Sequence, residues 1–230
     1  MNDSSTTPPT QAKKRGCFFY GCLTTVILVI VVGIAGFLAV NYGLKKINAL
    51  IEQYTEASPA TLPAVQMPKS EYDELDKRVA AFQQAVDAGK PVEPLVLTAD
   101  ELNALIANSP GMKGFKGKVY ITIDGDQVKG QVSVPLSDLG AAPGLSKLKG
   151  RYLNGSAAMK ASLDNGVLIV TMQSVQIKGQ SLPESIMTQL RAQNLAQDAY
   201  RDPKNAATLR KFQSIEIKDG KIIIKARAKE

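Results

Sequence analysis

The chain of 230 residues contains no histidine and no tryptophan, and its two cysteines, Cys17 and Cys22, lie near the N-terminus. The lack of histidine excludes Ser-His-Asp and Cys-His catalysis and removes the most common metal ligand. A Ser-Lys pair or paired carboxylates remain available for catalysis, but no motif in the sequence indicates either arrangement. We therefore predict that the protein is not an enzyme, and we expect no catalytic residues, no metal and no cofactor.

Charged residues are absent from Gly16 to Leu44. About 20 apolar residues suffice to cross the hydrocarbon core of a bilayer, and Phe18–Val40 offers 23 residues without a polar face. A cleaved secretory signal is the alternative, but its apolar region is usually only about 7–15 residues long. We predict a transmembrane helix over residues 16–43. The residues expected to anchor it in the membrane are Phe18, Val26, Ile30, Ile34 and Val40.

Basic residues flank this run unequally. Lys13–Arg15 and the free amino group precede it, whereas Lys45–Lys46 follow it. Because cytoplasmic flanks carry the excess of Lys and Arg, we predict a single-pass protein of the cell membrane with a cytoplasmic N-terminus. Residues 1–15 are then a disordered cytoplasmic tail, and the C-terminal part of the chain is extracytoplasmic.

Residues 44–91 are predicted to form a stalk of three parts. A juxtamembrane helix is followed by a proline-rich connector with Pro59, Pro63 and Pro68, and then by an amphipathic helix. Apolar residues recur at helical spacing from Tyr72 to Val86. This seam is predicted either to pack on the protein's own domain or to self-associate. Small residues in the anchor at a spacing of four also favour a weak homo-oligomer through the anchor or stalk; they are Ala35, Ala39 and Gly43.

Residues 92–230 are predicted to form an extracytoplasmic α+β domain. Thr98 and Glu101 match a capping box that opens a helix, and Ser181 and Glu184 match a second one. Alternating apolar residues predict an antiparallel sheet of about six strands in three hairpins, packed against helices. The apolar phase slips near residues 173–174, which predicts a bulge. Because this part contains no cysteine, packing alone must stabilise it.

The positive charge of the chain does not indicate a nucleic-acid partner. Residues 92–230 contain 19 Lys and Arg against 13 Asp and Glu, but no basic block, interleaved aromatic pattern or known motif. An anionic membrane surface or cell-wall polymer suits such a dispersed charge better.

One polar cluster precedes a predicted strand in "GRYLNGSAAM", residues 150–159. It can be a loop in which Asn154-Gly155 provides a turn, or a contact patch in which Arg151 meets a phosphate or carboxylate. In the second interpretation, an acyl chain lies between sheet and helices. The predicted ligand contacts are Arg151, Tyr152, Asn154, Val134 and Ile177.

Several short motifs resemble those of a known group. "KKRGCFFYGC", "LTADELNALI", "GQVSVPL", "RYLNGS", "GQSLPE" and "IEIKDGKIII" are similar to segments of uncharacterised bacterial single-span anchored envelope proteins. More distantly, the layout resembles YpmS-like membrane proteins and LmeA-like lipid-binding proteins of the cell envelope. The resemblance implies an anchored envelope protein and carries over no catalytic residue.

These observations predict that the outer domain binds a lipid or another hydrophobic ligand. The partners are then the lipid bilayer and a phospholipid or an envelope protein. The first alternative is a protein-interaction module of an envelope assembly that uses exposed sheet edges. The second is a Ser-Lys type hydrolase.

Overall fold

A computed structural model describes residues 52–139 and 148–227, and it confirms an α+β fold with one antiparallel sheet. The helices are α1 (Lys69–Ala88), α2 (Ala99–Asn108), α3 (Glu184–Ala192) and α4 (Pro203–Leu209). The strands are β1 (Leu95–Thr98), β2 (Val119–Asp124), β3 (Gln127–Pro135), β4 (Tyr152–Asp164), β5 (Val167–Ile177), β6 (Gln180–Ser181), β7 (Phe212–Lys218) and β8 (Lys221–Ala226).

The sheet has eight strands instead of the six predicted. The three predicted hairpins are present as β2–β3, β4–β5 and β7–β8. The additional strands are β1, which has four residues and pairs with β8, and β6, which has two residues and pairs with β5. Strands this short carry too few residues to show alternation. The partner of β1 is distant in the chain, whereas β6 pairs with the end of β5 across the two-residue turn Lys178-Gly179.

Strand β4 organises the sheet. The strand order is β1-β8-β7-β4-β3-β2, and β5 also pairs with β4. Because β5 occupies one edge of β4 from Gly155 to Asp164, β3 and β7 share the other edge. The tips of the β2–β3 and β7–β8 hairpins therefore meet, and the Gly220 N–H donates to the Gly125 carbonyl at 3.2 Å.

Local backbone features follow the sequence closely. Asp219 and Gly220 adopt φ of 52° and 72° in the β7–β8 turn, as a type I′ turn requires. Ala158 pairs with Ser174 while Met159 pairs with Met172. The strand β5 therefore has one extra residue at Gln173, which confirms the predicted bulge.

Helix α1 packs into the same apolar core as the sheet. Its seam residues Leu75, Val79, Phe82 and Val86 are buried in one cluster with β2, β4 and β5. Of the two alternatives for this seam, the structure therefore shows packing on the chain's own sheet. Helix α2 begins with the predicted capping box of Thr98 and Glu101. Helix α3 lacks the second predicted box, because Pro183 is its N-cap and Ser181 lies in β6.

Within residues 52–139 and 148–227, every helix is too short or too polar to span a membrane. The predicted tail and anchor, with Phe18, Val26, Ile30, Ile34 and Val40, lie outside the described residues.

Candidate functional site

Two buried polar residues lie on the sheet face that the helices do not cover. Ser133 and Asn154 are cross-strand partners on β3 and β4. The pairs on either side of them, Val132–Gly155 and Val134–Leu153, point toward the core. Since side chains alternate between faces, Ser133 and Asn154 must point outward. They are nevertheless only 3% and 6% exposed, so another part of the chain covers them.

The cover is the connector, residues 52–68, which crosses the sheet where β3 ends and β4 begins. Glu56 and Tyr152 form an antiparallel bridge in which each backbone N–H donates to the other's carbonyl, at 2.9 and 2.8 Å. The Asn154 amide donates to the Ser58 carbonyl at 2.9 Å and to the Glu56 carboxylate. The Ala60 N–H donates to Ser133 Oγ at 3.0 Å and to Asn154 Oδ1 at 3.1 Å.

Two cations complete the attachment. The Arg151 guanidinium donates to the Thr55 hydroxyl, and also to the Thr55 carbonyl at 2.8 Å. The Lys178 ammonium donates to the Glu52 carbonyl at 3.1 Å, and the Lys178 N–H donates to the Asn154 carbonyl at 2.9 Å. We call Ser133, Arg151, Tyr152, Asn154 and Lys178 the clamp. Most of its bonds go to backbone groups of the connector.

The five predicted ligand contacts therefore divide between two faces of the sheet. Arg151, Tyr152 and Asn154 come together as a polar cluster, and they bind the chain's own connector. Val134 and Ile177 are buried on the core face, and Ile177 belongs to the apolar cluster that includes residues of the helices. The contacts to the connector engage Nε and Nη2 of Arg151 and both polar atoms of the Asn154 side chain.

Gly155 allows the close approach of strands beside the clamp. A Cβ atom at this position would lie 2.6 Å from the Gln176 carbonyl oxygen. Any side chain would therefore push β4 away from β5. Of the two alternatives for this cluster, the one in which Asn154-Gly155 provides a turn is therefore wrong, because Gly155 is a residue of β4.

Asparagine side chains cover two sheet edges. The Asn103 amide of α2, which is buried, exchanges two hydrogen bonds of 2.7 Å with the backbone of Ile121 on β2. Asn194 accepts from the Val170 N–H and donates to the Leu168 carbonyl on β5, both at 2.9 Å. The sheet edges predicted to be exposed are thus blocked at these positions, so strand addition there requires displacement of a side chain.

The acidic hairpin tip forms ion pairs on the surface. Asp124 and Asp126 pair with Lys129 and Lys160 at 2.6 and 2.5 Å. The Lys129 ammonium, through its hydrogen bond and its charge, holds the pKa of Asp124 below its usual value. Among the described residues, no group of three or more Cys, Asp or Glu side chains is placed to hold a metal ion.

A small open cleft lies where α1 ends beside the start of β7. Phe82, Val86 and Phe212 contribute apolar walls, and Lys211 pairs with Asp87 at 2.8 Å at the same place. Gln83 and Thr208 complete its lining, which is therefore partly polar.

No protein-family model, curated protein or solved structure matches this chain. Only the geometry of the clamp therefore indicates its role. Sequence reasoning identified Arg151, Tyr152 and Asn154 but missed Ser133 and Thr55. The Ser133 hydroxyl and Ala60 are 73 positions apart in the chain, and no local pattern indicates such a contact.

Proposed function

We propose that this chain is a single-span protein of the cell membrane whose extracytoplasmic domain binds lipid at the bilayer from which its connector emerges. On this proposal, the chain resembles the uncharacterised bacterial single-span anchored envelope proteins, and it performs no catalysis. The observation that carries the proposal is the clamp. It holds the segment that follows the predicted anchor against one defined end of the sheet.

The predicted span ends at residue 43, and the clamp first contacts the chain at Glu52. A helical segment of that length rises only about 14 Å. The domain is therefore kept close to the membrane, and the hydrogen bonds to Thr55, Glu56 and Ala60 restrict its rotation. A flexible stalk would neither keep the domain close to the membrane nor restrict its rotation.

Contact with lipid at the membrane surface fits the packing better than an acyl chain under the helices. The core face around Ile177 is already covered by α2 and α3, whose apolar residues belong to the same buried cluster as Ile177. A ligand in that space would have to displace them. The end of the sheet that carries the clamp, in contrast, is next to the membrane in this arrangement.

A protein-interaction module remains the second candidate, because one observation favours it. Val167 and Ile169 lie on the outer face of β5 and are 55% and 46% exposed. Neighbouring exposed apolar residues of this kind are found in contact surfaces between proteins.

The proximity of the domain to the bilayer can be measured on the full chain in lipid vesicles. In a Cys17→Ser, Cys22→Ser background, a fluorophore is attached at Gln180→Cys near the clamp or at Gln213→Cys near the opposite end of β4. These ends are about 40 Å apart, given about 3.3 Å per strand residue. We expect headgroup-quenched emission only at position 180. Equal quenching at both positions would contradict the proposal, and Asn154→Ala should reduce the difference.

A further inference from the structure

Six of the 19 basic residues of the outer domain lie at the end of the sheet that carries the clamp. Residues 92–230 carry a net charge of +6, because they contain 19 basic and 13 acidic residues. The fold brings six basic residues to this end, which we call the basic end: Lys113, Lys116, Lys118, Lys149, Arg151 and Lys178.

The basic end spans four adjacent strands. Lys113 and Lys116 lie in and directly after the 3₁₀ helix before β2, and the Lys118 carbonyl accepts the Ser133 N–H. Lys149 lies just before β4, and Lys178 directly follows β5. At about 4.8 Å between strands, these positions are distributed over about 14 Å. The connector adds Glu52 and Glu56 to the same end, and Glu56 is bound by Asn154.

The basic residues at this end include two that bind the connector and three that are exposed and unpaired within the described part of the chain. Arg151 and Lys178 belong to the clamp. Lys113, Lys116 and Lys149 are exposed, and none of these three pairs with a carboxylate of the described residues. Their ammonium groups are therefore directed to solvent at the end where the chain enters from the predicted anchor.

We infer that the basic end binds phosphate groups of anionic phospholipids in the bilayer that anchors the chain. This inference rests on the proposed function, because the clamp must first bring the basic end to the membrane. A lysine near an anionic membrane surface favours the bound state about fivefold. The attraction falls off within a Debye length of about 10 Å at 0.1 M salt. On this inference the clamp keeps the basic end near the bilayer, and the anionic lipid then fixes the docked orientation.

The test uses the same full chain with its probe at position 180, in vesicles of phosphatidylcholine alone or mixed with phosphatidylglycerol. We expect stronger headgroup quenching with phosphatidylglycerol, and its loss in high salt. The triple variant Lys113→Gln, Lys116→Gln, Lys149→Gln should lower the ratio of docked to undocked chains about a hundredfold, from about fivefold per lysine. The matched control Lys90→Gln, Lys218→Gln, Lys221→Gln removes the same charge from exposed sites elsewhere and should change nothing.

The outcomes separate the two proposals. Quenching at position 180 that is independent of phosphatidylglycerol and of the three lysines would overturn the inference and leave the proposed function intact. Equal quenching at positions 180 and 213 in every vesicle would overturn the proposed function itself. Retention on immobilised polyphosphate that depends on the three lysines, without any effect of phosphatidylglycerol, would assign the basic end to an anionic envelope polymer and would also overturn the inference.

Discussion

The two faces of the sheet are held to the rest of the chain by different forces. On the core face, α1, α2 and α3 bury apolar side chains against the strands. On the outer face, hydrogen bonds to the clamp hold the connector at one corner, and near its two ends Tyr54 and Met67 pack against the core cluster. The first kind of contact stabilises the domain as a whole, whereas the second fixes the direction in which the chain leaves it.

The free energies of the two kinds of contact explain why these two roles can be separated. Full burial of a large apolar side chain contributes about 1.5–3 kcal/mol, and the core contains many. A hydrogen bond contributes a net of about 0.5–1.5 kcal/mol. The connector can therefore detach in a local opening while the core stays folded. Substitutions on the core face should destabilise the whole domain, whereas substitutions in the clamp should release only the connector.

The largest effect is expected from Phe82→Ala in α1. Phe82 is 3% exposed in the core, and removal of a buried phenyl ring costs about 3–5 kcal/mol. Chemical denaturation of the full chain should show this loss in the free energy of unfolding. Gln84→Ala, on the exposed side of the same helix, is the control and should change it by less than about 0.5 kcal/mol. Equal losses in the free energy of unfolding from the two substitutions would mean that α1 does not pack in the core.

The next largest effect is expected from Asn103→Ala. This change leaves the N–H and the carbonyl of Ile121 without their buried partner. Each unsatisfied buried group costs about 1–3 kcal/mol, so we expect a loss of about 3 kcal/mol in the free energy of unfolding. Asn108→Ala, in the partly exposed last turn of α2, is the matched control. A loss no greater than that of the control would mean that water covers the β2 edge instead.

A smaller and local effect is expected from Asn154→Ala. The change removes the amide that binds Ser58 and Ala60, and it leaves the Ser133 hydroxyl without its acceptor. The cost of about 1–3 kcal/mol should appear as faster proteolysis between residues 52 and 68. The denaturation midpoint of the core should shift little. Gln131→Ala, exposed on the same face, is the control. Global unfolding with no local release would contradict the division between the two faces.

The smallest effect concerns pH. Burial raises the pKa of Glu101, but hydrogen bonds from the Thr98 backbone and Arg78 outweigh it and hold the pKa below its usual value. A lowered folded pKa stabilises the domain above the unfolded pKa of about 4.3, and this stabilisation disappears as the pH falls through the folded value. Glu101→Gln should lower the free energy of unfolding at pH 7, and this cost should shrink as the pH falls through the folded pKa of Glu101. A pH-independent cost would exclude the charge as its cause, and Glu93→Gln is the exposed control.

The features predicted correctly from the sequence depend on near neighbours. The Thr98–Glu101 capping box, the Asp219-Gly220 turn and the bulge at Gln173 each involve residues a few positions apart. A local match can also mislead, as Ser181 and Glu184 show. Ser181 pairs with Gln176 in the sheet, and this contact prevents it from capping α3.

Apart from β6, which pairs with β5 across a two-residue turn, the features that were missed depend on contacts between distant residues. Strand β1 exists because Leu95 pairs with Ile224, and the clamp exists because Arg151 meets Thr55 across 96 positions. The unusual composition around Arg151, Tyr152 and Asn154 revealed that a site was present. It did not reveal that the partner is the chain's own connector, because only the folded sheet brings the two together.

The clamp can be tested most directly by hydrogen exchange of the connector amides in the full chain. The Glu56 and Ala60 N–H groups donate to the sheet, whereas those of Ala57 and Ser58 bind no group in the described part of the chain. We predict slow exchange at Glu56 and Ala60, fast exchange at Ala57 and Ser58, and loss of the difference in Asn154→Ala. Fast exchange at all four amides of the unmodified chain would contradict the account.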